Sequence, residues 1–182
     1  QDRMIVAPHL DSKQGAWSGV KWGTENQVHW ECGIRTSAAI DNQWIWAGLK
    51  LTNVVELATD ANSAFFSFGT DADNAGQAFT DFTKLHFCHS VADTDYISVL
   101  PITVAASTNY HLKIVFDSDR KMSIFVDGEQ YNITGTSGST GGTAVTKGTT
   151  KSGAMTNDVD LIPYIGIENC DAAAAVLNVQ FE

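Results

Sequence analysis

The amino-acid sequence predicts an all-β protein folded as a two-sheet antiparallel β-sandwich. Apolar and polar residues alternate with a period of two in short runs along most of the chain, which is the pattern of half-buried strands. Helical periodicity is nearly absent, and Gly, Asn and Asp cluster between the runs as they do in turns. Because 182 residues suit one domain with one core, we expect a single domain over residues 1–182.

The alternating runs give the expected strands in chain order. The first run, residues 27–36, places Trp30, Cys32 and Ile34 on one face. The run at 43–52 repeats the pattern, and the turn-like sequence SAAIDN between the two runs predicts a hairpin. Further strands are expected at residues 64–69, 84–90, 95–100, 110–117, 121–127, 129–133, 161–168 and 176–181.

Residues 110–131 predict a three-stranded antiparallel meander. Its first corner runs from Asp117 to Arg120, with short polar side chains of the kind that hydrogen-bond their own backbone in turns. Its second corner is Asp127-Gly128, a strong hairpin signal because glycine tolerates positive φ. Each piece therefore favours a sheet with one face packed on a core.

Two polar stretches interrupt the strand pattern. Residues 135–153 are rich in Gly, Ser and Thr, and we expect a long mobile loop there. Residues 71–81 are polar and acidic, and we expect a second loop.

The charge balance limits the partners of the chain. It carries 21 Asp and Glu against 11 Lys and Arg, for a formal net charge of -10. We therefore expect no binding to nucleic acid or to anionic membranes. The first ten residues show no signal-peptide core, and the absence of an initiating Met leads us to expect a trimmed, processed or partial chain.

Several segments carry a resemblance to a known superfamily. The segments YHLKIVF (110–116) and IFVDG (124–128), the near-terminal IPYIGI (162–167) and a closing strand VLNVQF (176–181) resemble the concanavalin A-like (lectin/glucanase, laminin-G-like) jelly roll. The similarity extends to structural proteins of tailed bacteriophages that carry this domain. It implies a fold rather than an activity, because the same sandwich carries lectins, hydrolases, lyases and structural modules.

The acidic residues do not form the hydrolase motif that this resemblance would imply. Retaining glycanases of the fold share an E-x-D-x-x-E strand, which sets two carboxyls on one face at about 5 Å. Every glutamate lacks the required partners: Glu25, Glu31, Glu56, Glu129, Glu168 and Glu182. A lyase would use His, Tyr and Arg, and no local motif joins the candidates His29, Arg35, His86, His89, His111 and Tyr96. We therefore expect no enzymatic activity.

A carbohydrate site is predicted from aromatic residues. Trp44 and Trp46 alternate with an apolar face, so both indoles fall on the opposite side of their strand, where they would stack on sugar rings. The hydrogen-bonding neighbours would be His29, Glu31, Arg35 and Lys50. The alternative, which we favour because tryptophan is usually mostly buried, is that both indoles lie under loops or in a subunit interface.

Metal and cysteine signals are weak. Asp71 and Asp73 begin like a calcium loop, but position twelve lacks the required Glu, so calcium is only a candidate and we expect no cofactor. His86, Cys88 and His89 do not share one strand face and do not predict a zinc site. The cysteines, Cys32, Cys88 and Cys170, are expected to be buried free thiols.

The combined expectation is a non-enzymatic structural component of a bacteriophage virion, as a capsid decoration or a tail or appendage module. Its partners would be other virion proteins and further copies of itself in a homo-oligomer. The first alternative is a lectin-like module that recognises host surface glycans, and the second is a polysaccharide hydrolase or lyase.

Overall fold

The chain folds into twelve described strands. The computed structural model describes residues 2–6 (backbone only), 23–52, 60–69, 79–169 and 176–181. The strands are β1 (Asp2–Val6), β2 (His29–Thr36), β3 (Gln43–Lys50), β4 (Asn62–Gly69), β5 (Lys84–Val91), β6 (Thr94–Thr103), β7 (Asn109–Phe116), β8 (Met122–Val126), β9 (Glu129–Tyr131), β10 (Thr143–Ala144), β11 (Ile162–Asn169) and β12 (Leu177–Phe181). A short 3₁₀ turn, Thr24–Asn26, precedes β2. Within these ranges, no helix has the length and apolar character needed to cross a bilayer.

The strands form two sheets. One has seven strands in the order β1-β11-β3-β4-β5-β6-β10, and the other has five in the order β12-β2-β7-β8-β9. All neighbours pair antiparallel except β10, which lies parallel to β6. The all-β, two-sheet antiparallel sandwich of jelly-roll type predicted from the sequence is therefore confirmed.

The predicted hairpin between the first two long strands is wrong. β2 pairs with β12 and β7, whereas β3 pairs with β11 and β4, so the two strands lie in different sheets. Residues 37–42 cross from one sheet to the other. The alternating pattern fits a hairpin and a pair of strands in opposite sheets equally well, because Ile34 and Ile45 point into the same core from both sides.

The core fills the space between the sheets with the inward residues of both. From β7 and β8 come Leu112, Ile114 and Ile124, each fully buried. Phe66 and Phe87 of the other sheet pack with ring centroids 5.3 Å apart. Burial of such side chains is the main favourable term in folding, at roughly 1.5–3 kcal/mol each.

The meander turns form as the sequence predicts. Asp117 Oδ1 accepts hydrogen bonds from the backbone N–H groups of Asp119 (2.8 Å) and Lys121 (2.9 Å), which closes the first corner. Asp127 and Gly128 have φ of 51° and 82°, and positive φ at both central residues is the geometry of a type I′ hairpin. Asp117 therefore acts as a turn residue.

The Gly/Ser/Thr-rich segment 135–153 runs along the edges of both sheets. Val145 N–H donates to Val99 O at 3.0 Å on the seven-stranded sheet, and Gly148 N–H donates to Gln130 O at 3.1 Å on the five-stranded one. The segment contributes β10, which the sequence pattern did not predict because two residues are too short to show a period. The predicted mobility of this segment stays a prediction.

Substitution of Gly48 by Ala should destabilise the seven-stranded sheet. A Cβ at this central position of β3 would overlap the carbonyl oxygen of Ala64 and the Cα of Phe65 on the neighbouring strand. Since both obstacles are backbone, the strands would have to separate, and we expect a loss of about 1–3 kcal/mol in urea denaturation.

The matched control is Gly153→Ala, where no atom lies within 4 Å of the added carbon. Its free energy of unfolding should stay within about 0.5 kcal/mol of the wild type. Equal stabilities of the two variants would contradict the close approach of β3 and β4.

Candidate functional site

The residues predicted to form one carbohydrate site lie on two different sheets. Trp44 and Trp46 belong to β3 and point away from the core on the outer face of the seven-stranded sheet. His29, Glu31 and Arg35 belong to β2 and point outward from the five-stranded sheet. The core separates the two sets, so the single cluster expected from the sequence does not exist.

Both tryptophans are buried. Trp44 is 1% exposed and Trp46 is 0% exposed, within an outer cluster of seven residues: Trp44, Trp46, Phe65, Phe79, Cys88, Ile97 and Tyr164. Trp46 stacks on Tyr164 with centroids 5.7 Å apart, and Trp44 Nε1 donates to Ser67 Oγ at 2.8 Å. The expectation that the indoles offer their faces to a surface ligand is therefore corrected in favour of the alternative, burial.

Lys50, which the sequence predicts as a hydrogen-bonding neighbour of a sugar, instead lies in a buried ion pair beside the outer cluster. Lys50 Nζ lies 3.4 Å from Asp60 Oδ2, and both side chains are fully buried. Asp60 also accepts a hydrogen bond from Thr52 Oγ1 at 2.7 Å, and the ammonium lies 4.9 Å from the centre of the Phe65 ring. The partners compensate for the removal of both charges from water, which is otherwise costly.

Three further candidates from the sequence are buried in separate places. His86 lies on the outer side of its sheet, stacked on Phe79 at 3.8 Å, and Cys88 lies on the same side. His89 lies on the inner side, against Ala64 in the pairing and stacked on Tyr96 at 4.6 Å. Among the residues that the structure describes, no group of three or more His, Cys, Asp or Glu is arranged to hold a metal ion.

The structure describes two of the three cysteines and neither of the two calcium candidates. Cys32 and Cys88 are buried free thiols, as expected, and burial raises the pKa of the Cys88 thiol. Cys170, Asp71 and Asp73 lie outside the described residues.

The five-stranded sheet presents an exposed polar face. The register of β2 against β7 sets Glu31 beside Lys113 and His29 beside Val115. The register of β7 against β8 sets Lys113 beside Phe125. Outward side chains from three neighbouring strands therefore meet, and each has its place fixed by the alternation of its strand.

Glu31 connects two basic side chains of β7. Its Oε1 lies 2.6 Å from His111 Nε2, and its Oε2 lies 3.3 Å from Lys113 Nζ. The hydrogen bond from Lys113, followed by that from His111, lowers the pKa of the Glu31 carboxyl below its ordinary value. The carboxylate is therefore ionised at neutral pH, with one basic partner on each oxygen.

The Asp-Gly turn fixes the position of His111. Asp127 Oδ1 accepts the backbone N–H of His111 at 2.8 Å, and Asp127 N–H donates to the carbonyl oxygen of His111 at 2.8 Å. The turn that ends β8 thus holds the start of β7 in place. The meander supplies both the sheet and the alignment of this imidazole.

A groove of about 420 Å³ lies on this face, and we call it the β2–β7 groove. Its lining residues are His29, His111, Lys113, Val115, Phe125 and Gly128. Of the predicted site residues, His29 lines it, Glu31 contacts two of its lining residues, and Arg35 lies further along β2.

The sequence predicted only part of this groove: it indicated His111 as a lyase candidate and did not indicate Lys113, Val115 or Phe125. The alternation of residues 111, 113 and 115 was visible, but their proximity depends on the β2–β7 pairing.

The groove combines an apolar floor with polar walls. Phe125 and Val115 are half-buried, so ring and methyl surface remains accessible between them. Imidazole, ammonium and carboxylate groups surround that surface within hydrogen-bonding reach of one another. The arrangement suits a small, flat ligand with one apolar side and hydrogen-bonding edges.

Comparisons with known proteins give structural neighbours only. No protein-family model matches the chain, and no curated protein matches it. A toad ovary galectin solved with thio-digalactose is similar at a TM-score of 0.42 and 12% identity, over 98% of this chain and 99% of that one. A SAP-like pentraxin from Limulus polyphemus has a TM-score of 0.40 and 11% identity over 98% and 75% of the two chains. Mouse laminin α1 domains LG4-5 have a TM-score of 0.41 and 10% identity over 99% and 39%.

These neighbours are similar to the chain in overall fold only. Their identities to this chain are 10–12%, so function has to be argued from the residues of this chain.

Acidification should destabilise the protein through two buried imidazoles among the described residues, His86 and His89. Burial lowers the pKa of His86 to about 4 and that of His89 to about 3. Below about pH 6.5 the unfolded chain binds protons that the folded chain does not, so stability is complete above that pH and falls as the pH drops towards 4. Between about pH 7 and about pH 5 we expect a loss of roughly 2 kcal/mol per imidazole in urea denaturation.

The variant His86→Phe keeps a ring against Phe79 and removes one titrating group, so it should lose about half of this pH dependence. The exposed His29, changed to Gln, is the control and should retain the full dependence. A wild-type stability that is equal at both pH values would show that neither imidazole is held neutral by burial.

Proposed function

We propose that the chain is a non-enzymatic binding module that holds a saccharide in the β2–β7 groove. The observation that carries the proposal is the half-buried ring of Phe125 beside the charged side chains of Glu31 and Lys113 and the imidazole of His111. A sugar ring has an apolar C–H side and a hydroxyl-bearing edge. The first packs on an aromatic ring, and the second hydrogen-bonds with charged and polar groups.

The groove is prepared for binding before a ligand arrives. Its side chains stand on β2, β7 and β8, whose inward neighbours are in the core. The paired Glu31 and Lys113 are already oriented by their ion pair at 3.3 Å. Little side-chain freedom is lost on binding, which favours affinity from a small contact area.

The chemistry of the groove favours binding over turnover. Glycoside hydrolysis requires two carboxyl groups across the scissile bond, one of them protonated. The six lining residues contribute no carboxyl group, and the neighbouring Glu31 is held ionised by Lys113 and His111. Binding of this kind requires no cofactor, and calcium at Asp71 and Asp73 stays a candidate.

Replacement of Phe125 by Ala should weaken saccharide binding and preserve the fold. Loss of a stacking aromatic ring costs at least about 1 kcal/mol, so we expect binding on a glycan array to fall about fivefold or more. The control is Phe82→Ala, because Phe82 is also half-buried but packs against the outer cluster of the other sheet. Circular dichroism of both variants should match the wild type.

Three results would contradict this proposal. They are a folded wild type that binds no saccharide, equal binding by the Phe125 variant, and release of unsaturated or reducing ends from a polysaccharide. The last result would support the hydrolase or lyase alternative.

The second candidate function is a structural role in a phage virion, as a decoration of the capsid or a module of the tail. The observation that favours an assembly role is the edge strand β12, where Val179 is 40% exposed and Val176, directly before the strand, is 51% exposed. Exposed apolar residues on a sheet edge favour pairing with another chain. The two functions are compatible, because a repeated virion module with a free groove would present many copies of a glycan site.

A charge on the β12 edge should dissociate a homo-oligomer. We expect the wild type to exceed the mass of one chain in light scattering, and Val179→Lys to return it to that of a monomer, because a buried unpaired ammonium is strongly unfavourable. The control is Thr149→Lys in the exposed segment 135–153. A monomeric wild type at all concentrations would exclude self-assembly through β12, and neighbouring capsid, portal and terminase genes would support the virion setting.

A further inference from the structure

The charge of the five-stranded face differs from that of the whole chain. Overall, 21 acidic residues face 11 Lys and Arg. On the outward positions of β2 and β7, two permanent cations, Arg35 and Lys113, accompany two imidazoles, His29 and His111. The carboxylates that face them are Glu31 on β2 and Asp127 at the end of β8. The two cations and the two carboxylates balance, so the face is close to neutral whereas the chain as a whole is acidic.

Both carboxylates of this face already have partners. The two oxygens of Glu31 contact His111 and Lys113, and Asp127 Oδ1 accepts the backbone N–H of His111. The side chain of Lys113 has three donor protons, and Glu31 takes one of them. The six residues that line the groove contribute hydrogen-bond donors and a positive charge but no carboxylate, so an acceptor-rich ligand fits it best.

We propose that the saccharide is acidic, with a carboxylate or sulfate group against Lys113 and His29 and its ring on Phe125. This inference rests on the proposed saccharide-binding function and names its ligand class. A neutral sugar presents as many hydroxyl donors as acceptors, and the six lining residues offer no carboxylate to its donors. An anionic group needs donors only.

The test compares three polymers of similar length with the folded full chain: a polyuronate, a sulfated galactan and neutral dextran. We expect the two acidic polymers to bind and dextran to bind at least about tenfold more weakly. Binding should weaken as salt is raised, because the contacts are exposed charges. Comparison of the affinities for the polyuronate and the sulfated galactan shows whether the groove prefers a carboxylate or a sulfate group.

Two variants and one matched control distinguish recognition of charge from a purely structural role of the same residues. Lys113→Gln should weaken binding of the acidic polymer at least about tenfold, since it removes a charged donor. Lys147→Gln is its matched control, because Lys147 also pairs with one carboxylate, that of Glu129 at 3.1 Å, but lies outside the groove. Glu31→Gln should strengthen binding of the acidic polymer, because it removes the negative charge beside Lys113. A residue with a purely structural role would not improve binding when it is changed.

The outcomes distinguish this inference from the function on which it rests. Binding of dextran equal to that of the acidic polymers, or an affinity that Glu31→Gln lowers, would overturn the acidic ligand and leave saccharide binding in place. Failure of the folded wild type to bind any of the polymers or any array glycan would overturn both.

Discussion

The burial of both faces of the seven-stranded sheet is the constraint on which the rest of the molecule depends. Its inner side forms the shared core, and its outer side carries the Trp46–Tyr164 stack and the fully buried Lys50–Asp60 pair. A sheet with both faces out of water has no free face for a ligand. Recognition by the described residues is therefore left to the five-stranded sheet, whose outward side chains reach solvent.

The meander connects folding to the groove. Asp127 has positive φ in the tight turn, and its carboxylate accepts the backbone N–H of His111. The same residue thus closes the hairpin and aligns the imidazole that meets Glu31 at 2.6 Å. Because the turn type fixes the register of β7 and β8, it also sets Phe125 beside Lys113. A local sequence signal, Asp-Gly, therefore determines the geometry of a non-local site.

Alternation predicted most strands and which residues share a face, but not which strands are neighbours. β7 and β8 were found within one residue of their ends, because local turns specify the meander. The pairing of β2 with β7, across more than seventy residues, has no local signal, so His111 and Lys113 could not be placed beside Glu31. Trp44 and Trp46 were placed on the correct side of β3. Their burial was only one of two alternatives, because a period of two cannot distinguish a covered outer face from an open one. The sequence pattern did not predict β1. The predicted β2–β3 hairpin is wrong because, as at the site, no local signal shows which strands are neighbours.

The arrangement of the five-stranded sheet lets specificity change without loss of the fold. On β7, Leu112 and Ile114 point into the core, and His111, Lys113 and Val115 point outward between them. A substitution at an outward position changes the charge or shape of the groove and leaves the core residues in place, so its cost to stability is small. The buried outer face of the other sheet has no such freedom, since each side chain there packs against others. Ligand chemistry can therefore vary on one side of this sandwich, whereas the other side is held by packing.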